Sequence, residues 1–335
     1  MSTTINPPPD FERPLKSQSE FDEYMEEICC KEQVYSMALF DILGFSNFVE
    51  SNGNQVVLDL YNKLLDLVDK QKSTMDGQES IAGSVVPAPV SNDWKQNVLI
   101  ADANGYINVC HFSDTFLIYV NYQLSKRPFW LRDQKYEPYP LLLGEIGTEQ
   151  YPIMYDRHHI YLSFLQTCMD FFCQAIVAGI PLRGCVSTGL AVMNPYKSIY
   201  LGSPLVEAAR GETAQNAIGI AFGKSFNNSH PVYNDYFIPY LAHIKEKNKE
   251  FLSPMMLDWA RYWRESSYFN KYNLKDCINK MNNNPHFSSY YDNAIKFFDF
   301  SANHKNWSNE LDREAITDIK DYYVKANEWY KSVTN

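Results

Sequence analysis

Two aspartates at the ends of apolar runs carry the strongest chemical signal in the chain. Asp41 sits in Phe40-Asp41-Ile42-Leu43-Gly44-Phe45, directly after the run Met37-Ala38-Leu39-Phe40 and just before a glycine turn. A buried strand that ends in Asp and then turns tightly can hold a divalent cation. Mg²⁺ is usually bound by one or two carboxylates, with substrate phosphates filling other positions. Asp114 lies in Ile107-Asn108-Val109-Cys110-His111-Phe112-Ser113-Asp114-Thr115-Phe116-Leu117-Ile118-Tyr119, where two strand-like runs meet at Ser113-Asp114. Two aspartates at adjacent strand ends could bind a metal pair that activates an attacking oxygen and stabilises a leaving one. A lone strand-end Asp is more often a turn or helix cap, so it is the pair that points to metal.

Cations come next. Arg183 follows Leu182 on an otherwise small and apolar run, where an unpaired charge would be costly to bury. It needs a partner, which a salt bridge or an anionic ligand would supply. Gly44, Phe45 and Ser46 open a helix, and helix N-terminal N–H groups suit phosphate. Other residues carry less. His158-His159 lacks a spaced carboxylate or second histidine, the aromatics of 259–263 read as core, and Ser187 and Thr188 have no triad context.

The elements that must position these residues are legible in outline. Residues 1–18 read as a polar arm and 20–31 as an acidic helix. Val34 to Leu43 reads as the first core strand. Val56, Leu60, Leu64 and Leu67, with Val57, Tyr61 and Val68, recur at helical spacing and predict a helix over 54–71. Residues 73–104 and 123–156 read as loop insertions. The runs 106–112 and 115–122 predict a hairpin. A helix over 157–178 follows, with Ile160, Phe164, Phe171 and Ala175 on one face, then a strand over 182–192. Pro204 fits the first turn of a helix that carries Arg210. Ala217 to Phe222 reads as another strand, and from about 235 the texture is aromatic and helical. The chain thus divides into 1–33, a central unit over 34–226, and a helical region over 227–335. Strands mixed with helices and an antiparallel hairpin predict an α+β fold with helices on one sheet face.

Composition sets the limits. The 335 residues, 45% apolar, can build a sizeable core. A net charge of −10 argues against a general nucleic-acid surface. No apolar run reaches membrane-spanning length, and the first residues lack the basic and apolar regions of a signal peptide. The seven scattered cysteines form no metal-type spacing and read as reduced thiols. A soluble, cytoplasmic protein is the expectation.

The aspartate blocks resemble those of class III nucleotidyl cyclases. Phe40 to Ser46 is similar to the first metal motif, and Asp114 to the second metal aspartate. Pro181-Leu182-Arg183-Gly184-Cys185-Val186-Ser187-Thr188-Gly189 is similar to the arginine-bearing strand. Tyr200-Leu201-Gly202-Ser203-Pro204-Leu205-Val206-Glu207-Ala208-Ala209-Arg210 is similar to the helix that follows. The blocks stand in the family's order over residues 35–225. The resemblance implies a ferredoxin-like palm with a mostly antiparallel sheet, decorated by a helical C-terminal extension. It implies that the ribose 3′-hydroxyl of a nucleoside triphosphate attacks its own α-phosphorus and pyrophosphate leaves. Asp41, Asp114 and the Ile42 carbonyl would hold two Mg²⁺ or Mn²⁺ ions. Phe40, Gly44, Phe45 and Ser46 would line the substrate, and Arg183 would bind the β- and γ-phosphates. Arg210 would stabilise charge on the α-phosphate of the opposite subunit, which requires a homodimer. Ala208-Ala209 would let its helix pack closely; a solvated helix arginine is the plainer alternative.

Departures narrow the reading. The family's ribose-orienting asparagine falls at Val206, and its two purine-reading positions fall at Cys110 and Ile199. Neither charged purine-selecting pair is present, and hydrogen bonding to a base edge is what gives strong discrimination. These features resemble the pyrimidine cyclases of bacterial Pycsar anti-phage systems, which make cyclic UMP or cyclic CMP for a separate effector protein. UTP and CTP are not separated by the residues; family prevalence favours UTP. Two alternatives stand: a catalytically silent cyclase-like module that binds nucleotide or a partner, and a purine cyclase with an atypical pocket.

Overall fold

The computed structural model describes residues 29–51, 53–59, 62–63, 66, 107–121, 157–225, 236–281, 285–311 and 319–334. The expected arm, nearly all of the acidic helix and both expected insertions lie outside them.

An eight-stranded sheet forms the frame, with main order β2-β3-β1-β4-β6-β8-β7. Its strands are β1 (Gln33–Ile42), β2 (Ile107–Phe112), β3 (Thr115–Asn121), β4 (Leu182–Asn194), β5 (Ile199–Gly202), β6 (Gly219–Gly223), β7 (Phe237–Pro239) and β8 (Leu252–Leu257). β5 pairs with the end of β4. Among the described residues, only the β4/β6 pairing is parallel; the others are antiparallel. β1 is central, flanked by β3 and β4, and buried on both faces. That explains its near-continuous apolar run. The β2–β3 hairpin turns at Ser113-Asp114, with Ser113 at φ 51.

Alternation along β1 sorts its side chains. Ala38, Phe40 and Ile42 face the larger core with α2 (Arg157–Ala178), whose Phe164, Phe171 and Phe172 are fully buried. α2 ends at Gly179, φ 79, where Ile180 N–H donates to the Ala175 carbonyl at 2.8 Å. This closes the spent carbonyls and turns the chain into β4. Tyr35, Met37, Leu39 and Asp41 face the opposite way. There α3 (Ser203–Thr213) covers the sheet, with Ala208 buried against Tyr35, Met37 and Leu39, so helices lie on both faces of the sheet and not on one as expected. Pro204 does stand in the first turn of α3.

The helix predicted over 54–71 is helical at 54–59, but Val56, expected on its buried face, is 48% exposed. The region beyond 235 differs more. It is not helical at first: it supplies β7 and β8, which extend the sheet past β6. Then come α4 (Trp259–Glu265), α5 (Leu274–Met281), α6 (Ser288–Asn303) and α7 (Ile319–Thr334). Their buried side chains join the same core as α2 and β1, so a division at 226/227 falls within one sheet and one core. Met256-Leu257 read as helix because a short apolar run fits either element. Asp258 marks the true boundary, its carboxylate accepting the Arg261 N–H at 2.9 Å as the cap of α4. Among the described residues, no helix is long and apolar enough to cross a membrane.

Candidate functional site

Asp41 lies one residue from the end of β1, opposite Thr115 on β3 and Arg183 on β4. Asp114 occupies the adjoining hairpin turn, and its carbonyl accepts the Ile42 N–H at 3.3 Å. The fold therefore brings the two aspartates to the same end of neighbouring strands, although 73 positions separate them in sequence (114 − 41). Burial lifts the Asp41 carboxyl above its usual range; the Arg183 charge opposes this and the Asp114 charge adds to it.

Arg183 is nearly enclosed and sits between two carboxylates. Its guanidinium donates to Asp41 Oδ2 at 3.3 Å and pairs with Glu212. Glu212, on α3, is 3% exposed. Burial pushes its carboxyl up to about 7, with Arg183 pulling the other way and Asp41 pushing further up. Sequence reasoning missed Glu212. The available signal was Arg183 itself, which had to find an anion within the fold.

α3 can come close enough to supply Glu212 because Gly211 has no side chain. A Cβ at Gly211 would overlap Cys185 Sγ on β4 and lie 3.0 Å from Leu252 Cδ2. Of the expected Ala208-Ala209 pair, Ala208 is buried and Ala209 is exposed, so Ala208 and Gly211 make the close contact. α1 (Phe45–Ser51) follows the Gly44 turn. Gly44 has φ 77, and a Cβ there would lie 2.7 Å from the Phe287 ring. Phe45 packs partly into the core and Ser46 is exposed.

Phe40 does not line this site. Strand alternation turns it away from Asp41, and its fully buried ring meets Phe171 edge-on at 5.3 Å. The Ile42 side chain is likewise core. Cys110 lies on β2, on the α3-covered side of the sheet, where burial pushes its thiol up to about 11 and Tyr200 hydrogen-bonds it. Tyr200 also meets Phe112 edge-on at 5.0 Å. Ile199, its neighbour on β5, is 40% exposed. Tyr200 rather than Ile199 thus stands beside Cys110.

Arg210 is exposed on α3, with its guanidinium 5.5 Å from the Phe251 ring centroid. No ion pair among the described residues joins it to Asp41 or Asp114. Val206, one turn earlier, is 49% exposed.

Among the described residues, no group of three or more His, Cys, Asp or Glu could hold a metal alone. Asp41 and Asp114 are hard oxygen donors of the kind Mg²⁺ and Mn²⁺ prefer. The repulsion between them fits a cation whose remaining positions come from backbone, water or substrate oxygens. The chain matches no family model, and no curated protein is significantly similar to it.

Proposed function

We propose that this protein is a nucleotide cyclase acting on a pyrimidine nucleoside triphosphate, with UTP favoured over CTP, to give the 3′,5′-cyclic monophosphate and pyrophosphate. One observation carries the reading. Asp41 and Asp114 share one end of adjacent strands, with Arg183 directly across the register from Asp41. The order β2-β3-β1-β4, all antiparallel and built from a βαββαβ chain, is that of the ferredoxin-like split βαβ and supports the palm assignment.

Asp41, Asp114 and the Ile42 carbonyl would hold two divalent ions, Mg²⁺ or Mn²⁺. Bound there, the ions supply charge neutralisation and activation of the attacking oxygen. Arg183 exchanges its Asp41 contact for the β- and γ-phosphates while Glu212 keeps hold of it. Arg210, exposed on α3 with no ion pair to Asp41 or Asp114 among the described residues, would act on a partner subunit's substrate. Ile199 and Leu201 on β5 and Val206 on α3 are 40%, 60% and 49% exposed, which supports a homodimer burying them. Cys110 and Tyr200 offer a thiol and a phenol, not the charged pair that selects a purine. The product would serve as a messenger for a separate effector in anti-phage defence, in the cytoplasm.

A silent nucleotide-binding module is the second reading, favoured by Val206 at the ribose-orienting position. One experiment separates them. Purified protein is incubated with all four ribonucleoside triphosphates and Mn²⁺, and products are identified by mass. Cyclic UMP or cyclic CMP is expected, and none from folded Asp41→Ala or Asp114→Ala. Near wild-type turnover in either variant would rule out this site. Cyclic AMP or cyclic GMP as the main product would make it a purine cyclase.

A further inference from the structure

The segment from Phe287 to Tyr290, at the start of α6, reaches two parts of the site at once. Phe287 lays its ring against Gly44, the turn that follows Asp41. Tyr290 presents its ring to Arg183, with the guanidinium carbon 5.6 Å from the ring centroid. The same ring takes Lys245 Nζ at 5.2 Å, and that amine also donates to the Thr213 carbonyl at 2.7 Å on the end of α3. The ring therefore gathers two cations next to Glu212.

Tyr290 is fixed in place from its own backbone. The Ile218 N–H donates to the Tyr290 carbonyl at 3.4 Å, and Asn293 Nδ2 donates to the Asn216 carbonyl at 2.9 Å. Both acceptor and donor on the sheet side belong to the short link before β6. The first residue of β6, Gly219, stands beside Arg183 in the parallel β4/β6 register. The start of α6 is thus tied to the strand that flanks Arg183. A planar ring over a guanidinium is worth most where water is excluded, and Arg183 is only 12% exposed.

We infer that Tyr290 is a positioning residue for polyphosphate binding: its ring holds the Arg183 guanidinium in the site when Asp41 releases it, which makes the C-terminal region part of the nucleotide site. The inference rests on the reading of Arg183 as a polyphosphate ligand. Without the ring, Glu212 alone would hold an arginine free to swing, and each binding event would have to order it again.

The full chain is titrated calorimetrically with magnesium tripolyphosphate, as wild type and as Tyr290→Phe, Tyr290→Leu and Arg183→Ala. Tyr290→Phe keeps the ring and should bind within about twofold of wild type, while Tyr290→Leu should weaken binding by about 3- to 30-fold. If the leucine variant does not fold, Tyr290→Met takes its place, since its flexible side chain fills irregular space. Wild-type affinity in the leucine or methionine variant, with binding lost in Arg183→Ala, overturns the role of Tyr290 and leaves the polyphosphate site standing. Equal weakening in the phenylalanine and leucine variants also overturns it, because the ring would then not be what matters. No binding by wild type overturns both this inference and the reading of Arg183.

Discussion

At the scale of single residues, the informative groups are charged or titratable ones taken out of water. Arg183 has Asp41, Glu212 and the Tyr290 ring around it. Burial, with the Asp114 charge adding to it, keeps the Asp41 carboxyl raised despite its contact with Arg183. His243 is a different case. It is fully buried and stacked 6.1 Å from Tyr240, and burial holds its ring down at about 3. Folded His243 therefore stays neutral where the unfolded chain would take up a proton. Between about pH 6.5 and 3 the unfolded state binds more protons, so stability is lost as pH falls through that window. His243→Phe keeps a ring and removes the titration. Denaturant unfolding at pH 5 and pH 7.5 should show wild type losing more stability at pH 5 than the variant, by up to about 1.4 kcal/mol per pH unit. Equal losses in the two proteins would show that His243 is not the neutral buried group described.

At the scale of elements, the site depends on how near α3 lies to β4. Gly211 sets that distance, because its missing Cβ is the space that Cys185 Sγ occupies. Gly211→Ala gains about 1 kcal/mol of helix propensity. Overpacking costs about 1–3 kcal/mol, and the obstructing Cys185 side chain is itself fully buried. Overpacking should win, with a net loss seen as a lower denaturation midpoint. Adding Cys185→Ala clears the space and should restore most of it. If the double variant is no more stable than Gly211→Ala, the clash is not the cause. The strands and helices around the site were largely legible. The hairpin at Ser113-Asp114, the helix 157–178 and the start of α3 at Pro204 carry local signals that need no long-range partner. β7 and β8 were not legible: a three-residue strand and an apolar run that fits helix or strand lack any such signal.

At the scale of the whole molecule, residues beyond 227 complete the sheet and the core. A chain ending at 226 would lack β7, β8 and four helices whose buried side chains belong to the same core, leaving the edge of β6 and much of that core open. It should fail to unfold cooperatively and should lose near-ultraviolet dichroism. A sharp thermal transition in that fragment would show the central unit to be independent. Assembly is tested by mixing. Asp41→Ala and Arg210→Ala should each be inactive as cyclases, yet a mixture should recover part of the wild-type rate, since one hybrid interface regains both residues. A fully active monomer at dilution would end the idea of a shared site.

Arg210 was reached through the family resemblance, but the residues alone were enough to single out Asp41, Asp114 and Arg183, to expect an α+β fold, and to say that Arg183 needed an anion. These are statements about residue type, local period and the cost of buried charge, and each can be made from neighbouring residues. The identity of that anion as Glu212, the turning of Phe40 into the core, the placing of Tyr200 rather than Ile199 beside Cys110, and the arrival of Tyr290 from the far end of the chain needed the folded molecule. Each depends on strand register or on which face of an element meets another. Register and facing arise from contacts between segments tens to more than a hundred residues apart, and no local pattern records them.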